Sequence, residues 1–138
     1  MTRIAHAIVI VAASLLLSAC QSKHQEGVKS DYRAQWLDVN ASTTAATDAA
    51  EAVLEDEGLK DVQASSTNVD GKATAKKADG TKVDVSIKKK SEDKSQVSVV
   101  VGTIGQPALG ADLARKIKER AEAGGMRNTN TGTMTSPR

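Results

Sequence analysis

The segment "TKVDVSIKK", Thr81–Lys89, followed closely by "SQVSVVVG", Ser95–Gly102, decides the fold. Val83, Val85 and Ile87 alternate with Lys82, Asp84, Ser86 and Lys88, and Val97, Val99 and Val101 repeat the pattern. Successive side chains of a strand point to opposite faces, so a half-buried strand reads apolar and polar in turn. Two such segments in succession predict antiparallel strands with one face on a core and the other toward water. The polar set Lys82, Asp84, Ser86 and Lys88 falls on that second face.

Outward from this pair, Asp79-Gly80 and Asp70-Gly71 read as hairpin-turn dipeptides, and Val62 and Ala64 begin a weaker strand. Upstream, "STTAATDAAEAVLEDEGL", Ser42–Leu59, places Ala46, Ala49, Ala50, Val53 and Leu54 at helical spacing. Ser42 to Thr44 offer N-cap oxygens, and Gly58 suits the residue just past the helix end. Before it, "DYRAQWLDV", Asp31–Val39, reads as a first strand in which Tyr32, Ala34 and Trp36 share a face. Those two aromatics are the only large ones in the chain and are expected to anchor the core. A last helix is predicted over about Ala108 to Ala123, with Leu109, Leu113, Ile117 and Ala121 in one stripe and an Asp112–Lys116 pair one turn apart.

The expected architecture is α+β in the order β-α-β-β-β-β-α. It is an antiparallel sheet of about four to five strands with two helices on one face. The expected domain spans residues 32–123, with a polar tether over 20–31 and a disordered tail, rich in Gly, Thr and Asn, over 124–138.

The first 19 residues are set apart from that domain. Arg3 supplies a positive start, Ile4 to Leu17 is an apolar run, and Ser18 and Ala19 are small. This is the layout of a cleaved export signal, and the run falls short of the roughly 20 apolar residues that span a bilayer. Cys20, the only cysteine, stands directly behind it. Leu17-Ser18-Ala19-Cys20 resembles the bacterial lipobox. The resemblance implies cleavage before Cys20, a diacylglycerol on its thiol and an acyl chain on its new amino group. Anchorage in the membrane follows, since two or more chains hold firmly where one binds reversibly. Gln21 stands where an aspartate would favour the inner membrane in the enterobacterial pattern, so the resemblance implies the outer membrane, facing the periplasm.

"LEDEGL", "ADGTKVDVSI" and "SVVVGTIG", taken together, are similar to a family of small bacterial lipoproteins of unknown function over roughly Ala34 to Ala121. That likeness implies the same α+β fold and no activity.

Catalytic chemistry finds few parts. Loss of the leader removes His6 and leaves His24 as the one histidine, which excludes a His/Cys zinc site and a Ser-His-Asp arrangement. Glu51, Glu55, Asp56 and Glu57 crowd one helix end as solvated surface, and three of them oppose the helix dipole at a cost of about 0.3–1 kcal/mol. "VGTIGQPALG", Val101–Gly110, carries neither a phosphate-loop nor a dinucleotide pattern, so Gly102 reads as a strand end, Gly105 as a turn and Pro107 as a helix start. No cofactor is expected beyond the lipid on Cys20.

Charge carries more information. Without Arg3 the chain holds 18 bases against 17 acids, which gives no argument for nucleic acid. The stretch Lys72–Lys90, however, carries seven lysines against two aspartates. Lys72, Lys76, Lys82 and Lys88 are the candidate face for an anionic partner, either an acidic lipid or a glycan. The bland alternative is a solvated surface that keeps sheet edges apart. The expected function is a non-enzymatic module, held on the membrane, that contacts another envelope component.

Overall fold

The computed structural model describes residues 27–128, in the order β1 (Lys29–Ser30), β2 (Ala34–Val39), α1 (Thr43–Asp56), β3 (Lys60–Ser66), β4 (Asp70–Lys76), β5 (Lys82–Ser91), β6 (Lys94–Val101) and α2 (Pro107–Asn128). The leader, Cys20 and residues 129–138 of the expected tail lie outside the described residues. All six strands form one antiparallel sheet ordered β1-β2-β6-β5-β4-β3. The chain lays down β2, crosses the sheet through α1, and returns strand by strand from the far edge. β6 then closes against β2, and α2 packs over that junction.

The α+β class and the single layer of two helices are as expected. The sheet has six strands, more than the four to five predicted, because Lys29 and Ser30 pair with Trp36 and Gln35. The expected tether therefore enters the sheet before residue 32. α2 also runs to Asn128, through the glycines that were to open a disordered tail.

Helix α1 forms where its caps allow. Ser42 Oγ accepts from the Ala45 amide, and Gly58 ends the helix at a φ of 71°. Its stripe Ala46, Ala49, Ala50, Val53 and Leu54 is buried against Ala73, Ala75, Val83, Val85 and Ile87 of the sheet. From α2, Leu113, Ala114, Ile117 and Ala121 complete the core. Small residues let helix and sheet approach closely, and each fully buried Val, Leu or Ile contributes about 1.5–3 kcal/mol.

Two expectations about this core are corrected. First, the core face of β2 is Gln35, Leu37 and Val39, not Tyr32, Ala34 and Trp36. Trp36 and Leu37 are adjacent, so the segment supports either parity. Burial of Leu37 and Val39 together decides it, at the cost of an orphaned amide, Gln35 Nε2. Tyr32 precedes the strand and is 79% exposed. Second, Asp70-Gly71 is not a turn. Both residues lie in β4, and the turn is closed upstream by Thr67, whose amide donates to Asp70 O at 2.7 Å.

Asp79-Gly80 does turn the chain. The Gly80 amide donates to Lys77 O, the Lys77 amide to Thr81 O, and Gly80 sits at a φ of 83°. Asp79 Oδ1 accepts from the Thr81 amide at 2.8 Å, and Asp79 Oδ2 lies 3.2 Å from Lys77 Nζ. Hydrogen bonds from Thr81, then the Lys77 ammonium, hold the Asp79 carboxyl down at about 2 from an ordinary 3.8. Its contribution to the turn is therefore complete above pH 3.8 and is lost as pH falls through about 2. In an NMR titration the Asp79 carboxyl is expected to move with a midpoint near 2, in step with the Thr81 amide. A midpoint near 4 would show that the turn does not hold the carboxylate.

Candidate functional site

Both helices cover one face of the sheet, and the other is left bare. Strand pairing arranges the bare face in rows. Residues opposite each other in an antiparallel ladder point the same way. Trp36 of β2 lies opposite Ser98 of β6, Ser98 opposite Ser86 of β5, Ser86 opposite Lys72 of β4, and Lys72 opposite Ser65 of β3. The next row runs Asp38, Gln96, Lys88, Asp70. At strand spacings of ~4.8 Å, the first row is about 19 Å long.

Two depressions lie along these rows. One, of about 430 Å³, is lined by Ala34, Trp36, Ser86, Lys88, Gln96 and Ser98. Its neighbour, of about 350 Å³, includes Ser65, Lys72, Ser86 and Lys88. Ser86 and Lys88 belong to both, so the two join into one trough across the strands. Small side chains make its floor, and the half-buried indole of Trp36 closes one end.

The four candidate lysines all lie on the bare face and are exposed, as their parity predicts, but they are not equivalent. Lys76 Nζ is 3.0 Å from Asp61, and Lys82 Nζ is 3.4 Å from Asp84. Among the described residues, Lys72 and Lys88 have no carboxylate within 4.0 Å. Asp70, opposite Lys88, accepts instead from Thr67 Oγ1 at 2.5 Å, and Asp38 pairs with Lys90 at 3.3 Å. The free positive charge is thus concentrated at the trough rather than spread over Lys72–Lys90.

Between the two helices, charges are engaged. Lys116 Nζ bridges Glu57 at 2.6 Å and Asp112 at 2.9 Å, and Arg120 meets Asp56. The hydrogen bond to Glu57, then that to Asp112, raises the Lys116 pKa, while Lys116 and Arg115 lower that of Asp112. Two bases from α2 thereby offset the acids that oppose the dipole of α1. Of the glycines of "VGTIGQPALG", Gly102 and Gly105 act as turns, with φ of 70° and 88°; Gly105 lies against the Arg33 backbone, α2 opens at Pro107, and Gly110 lies within that helix. The adjoining cleft of about 540 Å³ holds Arg33 and Lys82, the latter already paired with Asp84. Among the described residues no group of three or more His, Cys, Asp or Glu converges on a metal-sized site, and no helix is long and apolar enough to cross a membrane.

Sequence reasoning found the lysines but missed Trp36, which it assigned to the core. The available signal was Asp38, which shares the parity of Trp36, against Leu37 and Val39 on the other.

Fold and surface together define a class: a small two-layer α+β domain, helices stacked on one side of an antiparallel sheet whose other side is open. Within that class the chain belongs to the family described as protein of unknown function (DUF3568), whose profile matches residues 4–120. No curated protein matches the chain.

Proposed function

We propose that this protein is a lipid-anchored interaction module of the bacterial cell envelope, which presents the open face of its sheet to another envelope component. The observation that carries the reading is that bare face, with a tryptophan and two lysines that have no carboxylate partner among the described residues on one continuous trough. Exposed aromatic and basic side chains gathered in a depression are what binding surfaces use, whereas scattered surface lysines serve solubility.

Anchorage rests on Leu17-Ser18-Ala19-Cys20 behind the apolar run. The family match begins at residue 4 and so runs through this segment as well as the folded domain, which supports treating the two as one unit. After cleavage, Cys20 would carry a diacylglycerol and an N-acyl chain, and Gln21 favours the outer membrane, facing the periplasm. From Cys20 to the first strand residue, Lys29, the chain reaches about 30 Å when fully extended. The domain therefore works close to the membrane that holds it. The reading is non-enzymatic, supported by the scarcity of histidine and by the pairing of Asp56 and Glu57 with Arg120 and Lys116.

Photocrosslinking in cells tests the face. A crosslinker at Ser98, on the open side, is expected to give a discrete product that one at Glu55, on the exposed surface of α1, does not. Equal products from both positions would remove the open face as the docking surface.

A further inference from the structure

We propose that the trough from Trp36 to Lys72 binds an acidic glycan chain, a sugar ring stacking on the Trp36 indole and an anionic substituent lying between Lys72 and Lys88. This rests on the reading above that the open face is the interaction surface, and names what occupies it.

Shape supplies the first argument. The trough crosses the strands from Trp36 to Lys72 for about 14 Å, a length suited to a short oligomer rather than to a single small molecule. Between Trp36 and Lys72 its floor is Ser98 and Ser86, with no bulky side chain to interrupt an extended chain, so rings can lie along it. Hydroxyls and the Gln96 amide both donate and accept, which matches the mixed donor and acceptor rim of a sugar. An indole offers its flat apolar face to the C–H surface of a ring while leaving the ring hydroxyls free.

Charge supplies the second. Lys72 and Lys88 are the open-face lysines of the candidate set without a carboxylate partner among the described residues, and both line the trough. Their neighbours Asp70 and Asp38 are turned to Thr67 and to Lys90. An anion placed between the two ammonium groups would have to displace no existing ion pair, whereas at Lys76 or Lys82 it would compete with Asp61 or Asp84.

Other occupants fit less well. A lipid surface is met by projecting apolar side chains flanked by bases. Trp36 is half-buried in the floor, and the exposed Tyr32 and Ile104 line neither depression. A stable protein interface buries about 800 Å² on each side around several apolar anchors. This face offers one aromatic.

The test uses the full chain in detergent and its single tryptophan as reporter. Polygalacturonate oligomers are expected to change Trp36 emission saturably, and neutral maltodextrin of equal length is not. The Lys72→Gln/Lys88→Gln double variant should weaken the affinity about tenfold, near the contribution of one charge-assisted hydrogen bond. Lys118→Gln, on α2, should leave it unchanged. Unchanged affinity in the double variant, an equal response to maltodextrin, or no response to either glycan overturns the proposal. So does a response to phosphatidylglycerol dispersed in the same detergent that equals or exceeds the glycan's. If the glycan fails while the Ser98 crosslink persists, the occupant is wrong and the docking face stands. If both fail, the open face itself is excluded.

Discussion

Gly71→Ala is expected to lower the thermal unfolding midpoint by roughly 10–20 °C, although it adds a single methyl group. Gly71 lies in β4 directly beneath α1, where a Cβ would overlap Thr47 Oγ1 and approach Thr47 Cβ to 3.3 Å and Ile87 Cβ to 3.5 Å. Thr47 cannot simply swing away. It is buried, 1% exposed, and its hydroxyl donates to Thr43 O at 2.8 Å within the same helix. The helix must lift from the sheet or the hydroxyl must give up its bond, and overpacking of this kind costs about 1–3 kcal/mol. In a domain of this size each kcal/mol moves the midpoint by about 4–8 °C.

Thr47→Ala should recover much of the loss in the double variant, because it removes the overlapping oxygen. That coupling separates a local clash from a general dislike of alanine at position 71. Gly80→Ala serves as comparison. Its site is open, nothing lies near the added methyl, and only the left-handed backbone resists it, at about 1–2 kcal/mol. Calorimetry or circular dichroism would read the order. Gly71→Ala within about 2 °C of the parent chain would show that α1 does not rest on β4 as closely as described.

The same glycine shows where the sequence is readable and where it is not. Asp-Gly is a strong turn signal, since its backbone preferences are local. Here the need for a residue without a side chain under Thr47 outweighs them, and that need arises between residues 24 positions apart. β5 and β6 are legible because alternation in a half-buried strand is itself the packing: Val83, Val85, Val97 and Val99 are wholly buried. α1 is legible because Ser42 and Gly58 mark its ends through their own backbones. β1 is not, because two polar residues carry no pattern and are ordered only by the edge that β2 offers. Nor is the end of α2, where consecutive glycines lower helix propensity without forbidding it.

The open face was half legible for a related reason. Parity along β4 and β5 places Lys72, Lys76, Lys82 and Lys88 outward. Which of them stay unpaired depends on Asp61, Asp70 and Asp84, and thus on register and on the backbone irregularity at Asp61, whose φ is 54°. Trp36 joins Lys72 in one row only through the order β2-β6-β5-β4, which brings together residues far apart in the chain.

The second large effect is expected at Cys20, where replacement of one sulfur should move the protein from the membrane to the soluble fraction nearly completely. Each buried methylene holds with about 0.8 kcal/mol, so a diacylglycerol contributes far more than any surface contact of the domain. The bare face cannot substitute for it, because exposed lysines are screened within about 10 Å at ordinary salt. Among the described residues no helix is long and apolar enough to cross the bilayer. The variant should also keep its fold, since the sheet begins at Lys29, well past Cys20 in the chain.

The most direct test of the anchored module is therefore fractionation of cells that express the parent chain or Cys20→Ala, with a high-salt wash of the membranes and mass analysis of the mature N-terminus. The expected result is a parent chain that resists the wash and begins at an acylated Cys20, beside a variant recovered in the soluble fraction. Retention of Cys20→Ala in the washed membranes to the same extent as the parent, or a parent chain whose Cys20 carries no lipid, would contradict it.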